Sequence, residues 1–212
     1  RGLYKPHDYG NVIIPMTVIK RFNDCLSPTR EKVWDTYEKV KHFEVRDGFL
    51  RNASGYQFYN VSKFDFTTLL ADPNNIDENF RSYLAGFSDN VQDILENFKF
   101  EAEIKTLSDN GKLFYVMQEF NTQKGDMSPD KITSVDMGYI FEDLIKRFSE
   151  SYNEEAGAHF TSRDIIYTMV DLLVESEKVS LINDGVVKTV YDMAMGTSQM
   201  LGCMEERLTQ FD

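Results

Sequence analysis

Apolar residues in the first 150 positions recur at intervals of three and four, the spacing of one face of an α-helix. Val33, Trp34, Tyr37 and Val40 follow Ser27-Pro28, a pair that reads as an N-cap with proline at the first helical position. Ile76, Phe80, Leu84 and Phe87 repeat the spacing, and so do Val91, Ile94, Leu95 and Phe98 after Ser88. Ser128-Pro129 is a second start signal. Beyond it Met137, Ile140, Phe141, Leu144, Ile145 and Phe148 form an unbroken stripe that predicts a helix from about Ser134 to Ser151. Asn52–Gly55 and Asp72–Asn75 carry the polar, Gly- and Pro-containing composition of loops. These stripes predict the core faces of a helical bundle; an exposed stripe that docks a partner protein has the same pattern.

After Ser151 the rhythm changes. A polar connection, Asn153 to Gly157, leads to Thr161, which stands three residues before Asp164 as an approximate capping box. Ile165, Ile166, Met169, Val170 and Leu173 are the expected buried face of the helix that follows. A turn at Asn183-Asp184-Gly185 precedes Val186–Tyr191, a short β-branched run that predicts a strand. A second helix is expected from about Ser198 to Leu208. Helix, strand, turn and helix in that order predict the opening of a doubly wound α/β domain. The expected division is therefore a helical domain over 1–150 and the start of an α/β domain over 151–212.

Composition narrows the setting. Hydrophobic residues at 42% and charged residues at 27% are those of a globular chain. No apolar run approaches the ~20 residues of a membrane span, and Pro15 interrupts Val12–Ile19. The two cysteines, Cys25 and Cys203, stand far apart, so neither a disulfide framework nor a thiolate metal site is expected, and a reducing cytoplasm is. His7 and His42 have no acidic or thiol companions at ligand spacing, so no metal site is expected. The net charge is −12, with −7 in residues 151–212 and −5 in residues 1–150. Phosphate binding needs clustered Lys and Arg, so these residues alone are expected to bind nucleic acid poorly. The chain opens on Arg1-Gly2, without Met or a signal-like segment, which suggests residues missing at both ends.

Chemistry concentrates in two short stretches. One is Gly157-Ala158-His159-Phe160-Thr161-Ser162, and the other runs from Tyr191-Asp192 through Ala194, Gly196, Thr197 and Ser198 to Leu201. A carboxylate at a strand end, a glycine that lets backbone approach a ligand and a helix N-terminus with free N–H groups suit a charged nucleotide-like cofactor. A single glycine in a strand–helix turn is equally compatible with a plain connection.

The surrounding residues carry a resemblance. Type I restriction-modification systems have a modification subunit with a turn close to Asp-Pro-Ala-Cys-Gly-Thr-Gly-Gly-Met-Leu. The present chain is similar to it at Asp192, Ala194, Gly196, Thr197, Met200 and Leu201. The same family opens a helix with Gly-x-His-Phe-Thr-Pro-Arg, similar to Gly157, His159, Phe160, Thr161 and Arg163 here. The resemblance extends through Tyr9–Pro15, Phe58–Asn60, Lys63–Asp65 and Met137–Glu142, nearly the whole chain. It implies a mainly α chain: a helical N-terminal domain followed by the truncated start of a Rossmann-like α/β methyltransferase domain dependent on S-adenosyl-L-methionine. The implied activity is methylation of adenine N6 in double-stranded DNA, in a complex with a specificity subunit, a second modification subunit and a restriction subunit. The implied cofactor-binding residues are Gly157, His159, Phe160, Thr161, Asp192, Ala194, Gly196, Thr197 and Ser198. His159 either lines that pocket or is a backbone-bonded polar residue.

Departures from the pattern are concentrated at the turn. Met193 and Met195 replace Pro and Cys, Ser198-Gln199 replaces the paired glycines, and Ser162 replaces Pro. Side chains at 198 and 199 are expected to crowd or re-aim backbone that glycine brings close, unless those residues sit in ordinary helical geometry. Family members hold the flipped adenine with Asn-Pro-Pro-aromatic. The prolines here are Pro6, Pro15, Pro28, Pro73 and Pro129, none adjacent, so no catalytic residues are expected within these 212 positions, and the stretch alone is expected to be inactive. The alternative expectation is a non-catalytic helical interaction module with a decayed cofactor turn.

Overall fold

The computed structural model describes residues 3–151, 161–181, 185–196 and 198–209, and the chain divides into two compact units, Arg1–Thr133 and Ser134–Asp212. All regular elements among the described residues are helical.

The first unit is organised around α1 (Gly10–Leu26), whose Val12, Met16 and Ile19 are buried one helical turn apart. None of the stripes read from the sequence covers this stretch, where Pro15 interrupts the apolar run. The helix passes through Pro15 all the same, and the proline sits buried in its second turn. Around α1 pack α4 (Phe66–Leu70), α5 (Ile76–Ala85), α6 (Asp89–Asn97), α7 (Phe100–Asp109) and α8 (Leu113–Phe120). Their largest fully buried side chains include Phe66, Phe80, Ile104, Leu113 and Met117. The expected stripes of α5 and α6 are the ones that turn inward, through Ile76, Phe80, Val91 and Leu95.

A helical hairpin of α2 (Arg30–Val40) and α3 (Asp47–Ser54) has its own small core of Val33, Val40, Leu50, Ala53 and Tyr59. Ser27-Pro28 does not start α2 directly. Ser27–Thr29 forms one 3₁₀ turn that continues from α1, and α2 begins at Arg30. Ser128-Pro129 likewise makes a turn, in which the Ser128 carbonyl accepts from the Lys131 and Ile132 amides, rather than a helix start.

Several stretches that carry the family resemblance prove to be fold anchors. Asp65 caps α4: its carboxylate accepts from the Thr68 amide at 2.7 Å while Thr68 Oγ1 accepts from the Asp65 amide at 2.8 Å. Arg30 from α2 reaches the same carboxylate. Asn60 donates to the Tyr83 carbonyl at 3.0 Å and accepts from the Ser62 amide at 2.7 Å. Backbone pairing of residues 59–61 with 86–88 brings Gly86 so near that a Cβ there would stand 2.5 Å from Asn60 Oδ1 and 2.8 Å from the Ser62 nitrogen. Only glycine fits.

A charged strap ties residues 126–132 to α1. Lys20 and Asp24 form a buried ion pair at 2.5 Å, and the Asp24 carboxylate also accepts from the Met127 amide at 2.8 Å. Arg21 donates to the carbonyls of Met127 and Ile132, the latter at 2.8 Å. Burying two charges is sustained only when their hydrogen-bonding capacity is met in this way.

The second unit contains α9 (Ser134–Ser151), α10 (Arg163–Leu181) and α11 (Gln199–Leu208). Ile166, Val170 and Val174 of α10 pack on Cys203 and Met204 of α11. The expected buried face of α10 is therefore corrected: Ile165, Met169 and Leu173 are exposed, because α10 is apolar over more of its circumference than α11 covers. The expected strand Val186–Tyr191 is corrected too. Those residues carry no regular structure, since a strand exists only by pairing and no second strand stands beside it among the described residues.

Candidate cofactor site

Of the nine expected site residues, Thr161, Asp192, Ala194, Gly196 and Ser198 fall among the described residues; Gly157, His159, Phe160 and Thr197 lie outside them. Thr161 is exposed, two residues before α10. The helix opens one residue later than the expected capping box: the Ser162 carbonyl accepts from the Ile165 and Ile166 amides at 3.0 and 3.1 Å, which makes Ser162 the N-cap.

The run from Asp192 to α11 is a tight turn. Asp192 Oδ1 accepts from the Ala194 amide at 2.9 Å, so the aspartate folds the chain back on itself. Gly196 follows with φ +51°, a left-handed conformation suited to glycine. The Ser198 amide donates to the Met195 carbonyl at 2.8 Å and closes the turn, and the Ser198 carbonyl accepts the first bond of α11, from Gly202, at 3.0 Å. Ser198 is the N-cap, but its side chain makes no capping bond, so among the described residues no N-cap side chain occupies the first amides of α11.

Ser198 is the departure with a physical consequence. Its φ of +63° is left-handed, where a β-carbon costs roughly 1 kcal/mol and glycine costs nothing. Gln199, the other replacement of glycine, is inside α11 in ordinary helical geometry. Its Nε2 is nonetheless buried without a hydrogen-bond partner. The two positions thus differ: serine strains the backbone, and glutamine leaves a buried donor unsatisfied.

A network that sequence spacing gave no sign of fixes the helices behind the turn. Tyr167 of α10 donates to Glu206 of α11 at 2.7 Å, and Arg207 pairs with Asp171 at 2.8 Å while lying 4.8 Å from the Tyr167 ring centroid. The Glu206 hydrogen bond, helped by burial, pushes the Tyr167 phenol up to about 12. Partners 36 and 39 residues apart leave no local pattern to read.

The residues present suit S-adenosylmethionine in charge. Asp192 offers a carboxylate to a cationic amino group, and the first α11 amides offer donors to a carboxylate. No hydrogen bond or ion pair among the described residues joins Thr161 to the Asp192–Ser198 turn. An apolar groove of about 530 Å³ lies between residues 186–190 and α11, lined by Leu181, Val190, Leu201, Met204 and Leu208, and it includes none of the expected site residues. Among the described residues no cluster of His, Cys, Asp and Glu is arranged to hold a metal, and no helix is long and apolar enough to cross a membrane.

Residues 1–120 match the family model described as HsdM N-terminal domain, and residues 133–212 match the one described as N-6 DNA Methylase. Searches of curated proteins and of solved structures gave no match. These two consecutive matches place the chain in one family: it belongs to the type I restriction-modification modification subunits, with an HsdM N-terminal domain followed by N-6 DNA methylase sequence.

Proposed function

We propose that the chain serves S-adenosylmethionine-dependent methylation of adenine N6 in DNA, as part of a complex with a specificity subunit, a second modification subunit and a restriction subunit. The observation that carries this reading is the succession of the two family matches along one chain, 1–120 and then 133–212. S-adenosylmethionine supplies the electrophilic methyl group. Asp192 and the first-turn amides of α11 hold its charged amino-acid end, with Thr161, Ala194, Gly196 and Ser198 nearby; Gly157, His159, Phe160 and Thr197 complete the proposed set. The helical first unit docks on partner subunits and, at a net charge of −12 for the chain, leaves most phosphate contacts to them. With no Asn-Pro-Pro-aromatic motif in the 212 residues, they do not transfer methyl by themselves. The setting is cytoplasmic, in keeping with two free cysteines.

A second reading has its own support. Left-handed Ser198 and the buried, unpartnered Gln199 amide favour a non-catalytic interaction module whose cofactor turn has decayed. Equilibrium dialysis against labelled S-adenosylmethionine, followed by incubation with DNA, separates the two. The leading reading expects label retained by the protein and none passed to DNA. No retention favours the second reading, and transfer to DNA above a no-protein control overturns the claim that these residues are insufficient.

A further inference from the structure

A polar assembly joins α9 to the first residue of α10. Arg163 Nε stands 3.0 and 3.3 Å from the two carboxylate oxygens of Glu142, and Nη2 makes a second bond to the same carboxylate. Both side chains are largely shielded, at 15% and 21% exposure. The Arg163 Cζ lies 3.7 Å from the centroid of the Tyr139 ring, close enough for a cation–π contact. Gly138 leaves room in the slot: a Cβ there would come within 2.9 Å of Nη2. One turn of α9 thus presents an open floor, an aromatic wall and a carboxylate end to a single planar guanidinium. A lysine ammonium, a point charge on a flexible stem, reproduces neither the fork nor the stacking.

The place of this slot gives it meaning. Arg163 follows directly on Thr161 and Ser162, and Ser162 is the residue whose carbonyl opens α10. Fixing the guanidinium therefore fixes where the helix starts and where Thr161 stands. Packing of α10 on α11 is borne by Ile166, Val170 and Val174, further along the helix, so the clasp adds position rather than core.

We propose that Arg163 is a positioning residue for the candidate cofactor site, held by Gly138, Tyr139 and Glu142 so that the start of α10, and Thr161 with it, keeps one register. Only the description of Thr161 as a cofactor residue rests on the proposed function; the clasp itself does not. Hydrogen exchange on the full chain tests it with Arg163→Lys, with Gly138→Ala, which by propensity alone favours α9, and with the charge-swapped pair Arg163→Glu/Glu142→Arg. Arg163→Lys is expected to speed exchange of the Ile165 and Ile166 amides about tenfold, and Gly138→Ala less, since the guanidinium end can swing aside, with Val170, Val174 and Cys203 changed less than about twofold and the swap partly restoring protection. Unchanged Ile165 and Ile166 amides, or a uniform rise through α10 and α11, overturn the proposal. In a parallel titration, Arg163→Lys is expected to weaken S-adenosylmethionine binding about tenfold through lost preorganisation. If the wild-type chain binds none while exchange behaves as expected, the clasp is supported and the cofactor reading is what fails.

Discussion

Ser198 condenses the chemistry of the turn into one backbone angle. At φ +63° a β-carbon is strained, so Ser198→Gly is expected to stabilise the second unit by up to about 1 kcal/mol, read as a higher denaturant midpoint. An unchanged or lower midpoint would remove strain as the reason glycine suits this position. Asp24 sits at the opposite extreme, an acceptor whose loss leaves Lys20 buried and unpaired. Asp24→Ala is expected to cost about 3 kcal/mol and to release the Met127 amide. A cost below ~1 kcal/mol in chemical denaturation would show that the pair is not needed. The turn was legible from sequence because Asp192, Gly196 and a following apolar helix are local signals. The strap was not: Asp24 and Met127 are 103 positions apart, and nothing in either neighbourhood announces the other.

Among the elements, periodicity located α5, α6 and α9 well, and α11 was expected from its place after the turn. Periodicity fell short where coverage is partial, and it left α1 unnamed although Val12, Met16 and Ile19 carry the helical spacing across Pro15. The α10 pattern was true to a helix but too wide in its buried side, because the core with α11 takes in Ile166, Val170 and Val174, with Tyr167 and Leu181 at its edge, and leaves Ile165, Met169 and Leu173 exposed. A strand was expected at Val186–Tyr191 from β-branched composition, which describes propensity and not the presence of a neighbour to pair with. Close backbone approach at 59–61 and 86–88 makes its own prediction. Gly86→Ala is expected to destabilise the first unit by about 2 kcal/mol, because both Asn60 and the Ser62 backbone would have to move. A thermal unfolding curve superimposable on the wild type would contradict that packing.

For the molecule as a whole, the phenols of Tyr59 and Tyr83 set an alkaline limit. Burial, and for Tyr59 also the Asp47 hydrogen bond, raises both above the ordinary tyrosine value. A raised folded pKa contributes stability that is intact below about pH 10, where unfolded tyrosine titrates, and is lost as pH climbs above it. Loss of helical circular dichroism should therefore accompany the part of the tyrosinate absorbance that Tyr59→Phe and Tyr83→Phe remove, and that part appearing at full helicity would contradict the role given to the two phenols. The division into Arg1–Thr133 and Ser134–Asp212 falls ahead of the change of rhythm that the sequence shows at Ser151, since the boundary follows packing and the rhythm follows composition. The proposal that ties these scales together is that the second unit carries an S-adenosylmethionine turn built on Asp192. Calorimetric titration of the cofactor into the wild-type chain, Asp192→Ala and Ser198→Gly tests it most directly. Saturable binding by the wild type, tightened by Ser198→Gly and abolished by Asp192→Ala, is the predicted result; no binding by either the wild type or Ser198→Gly would contradict it.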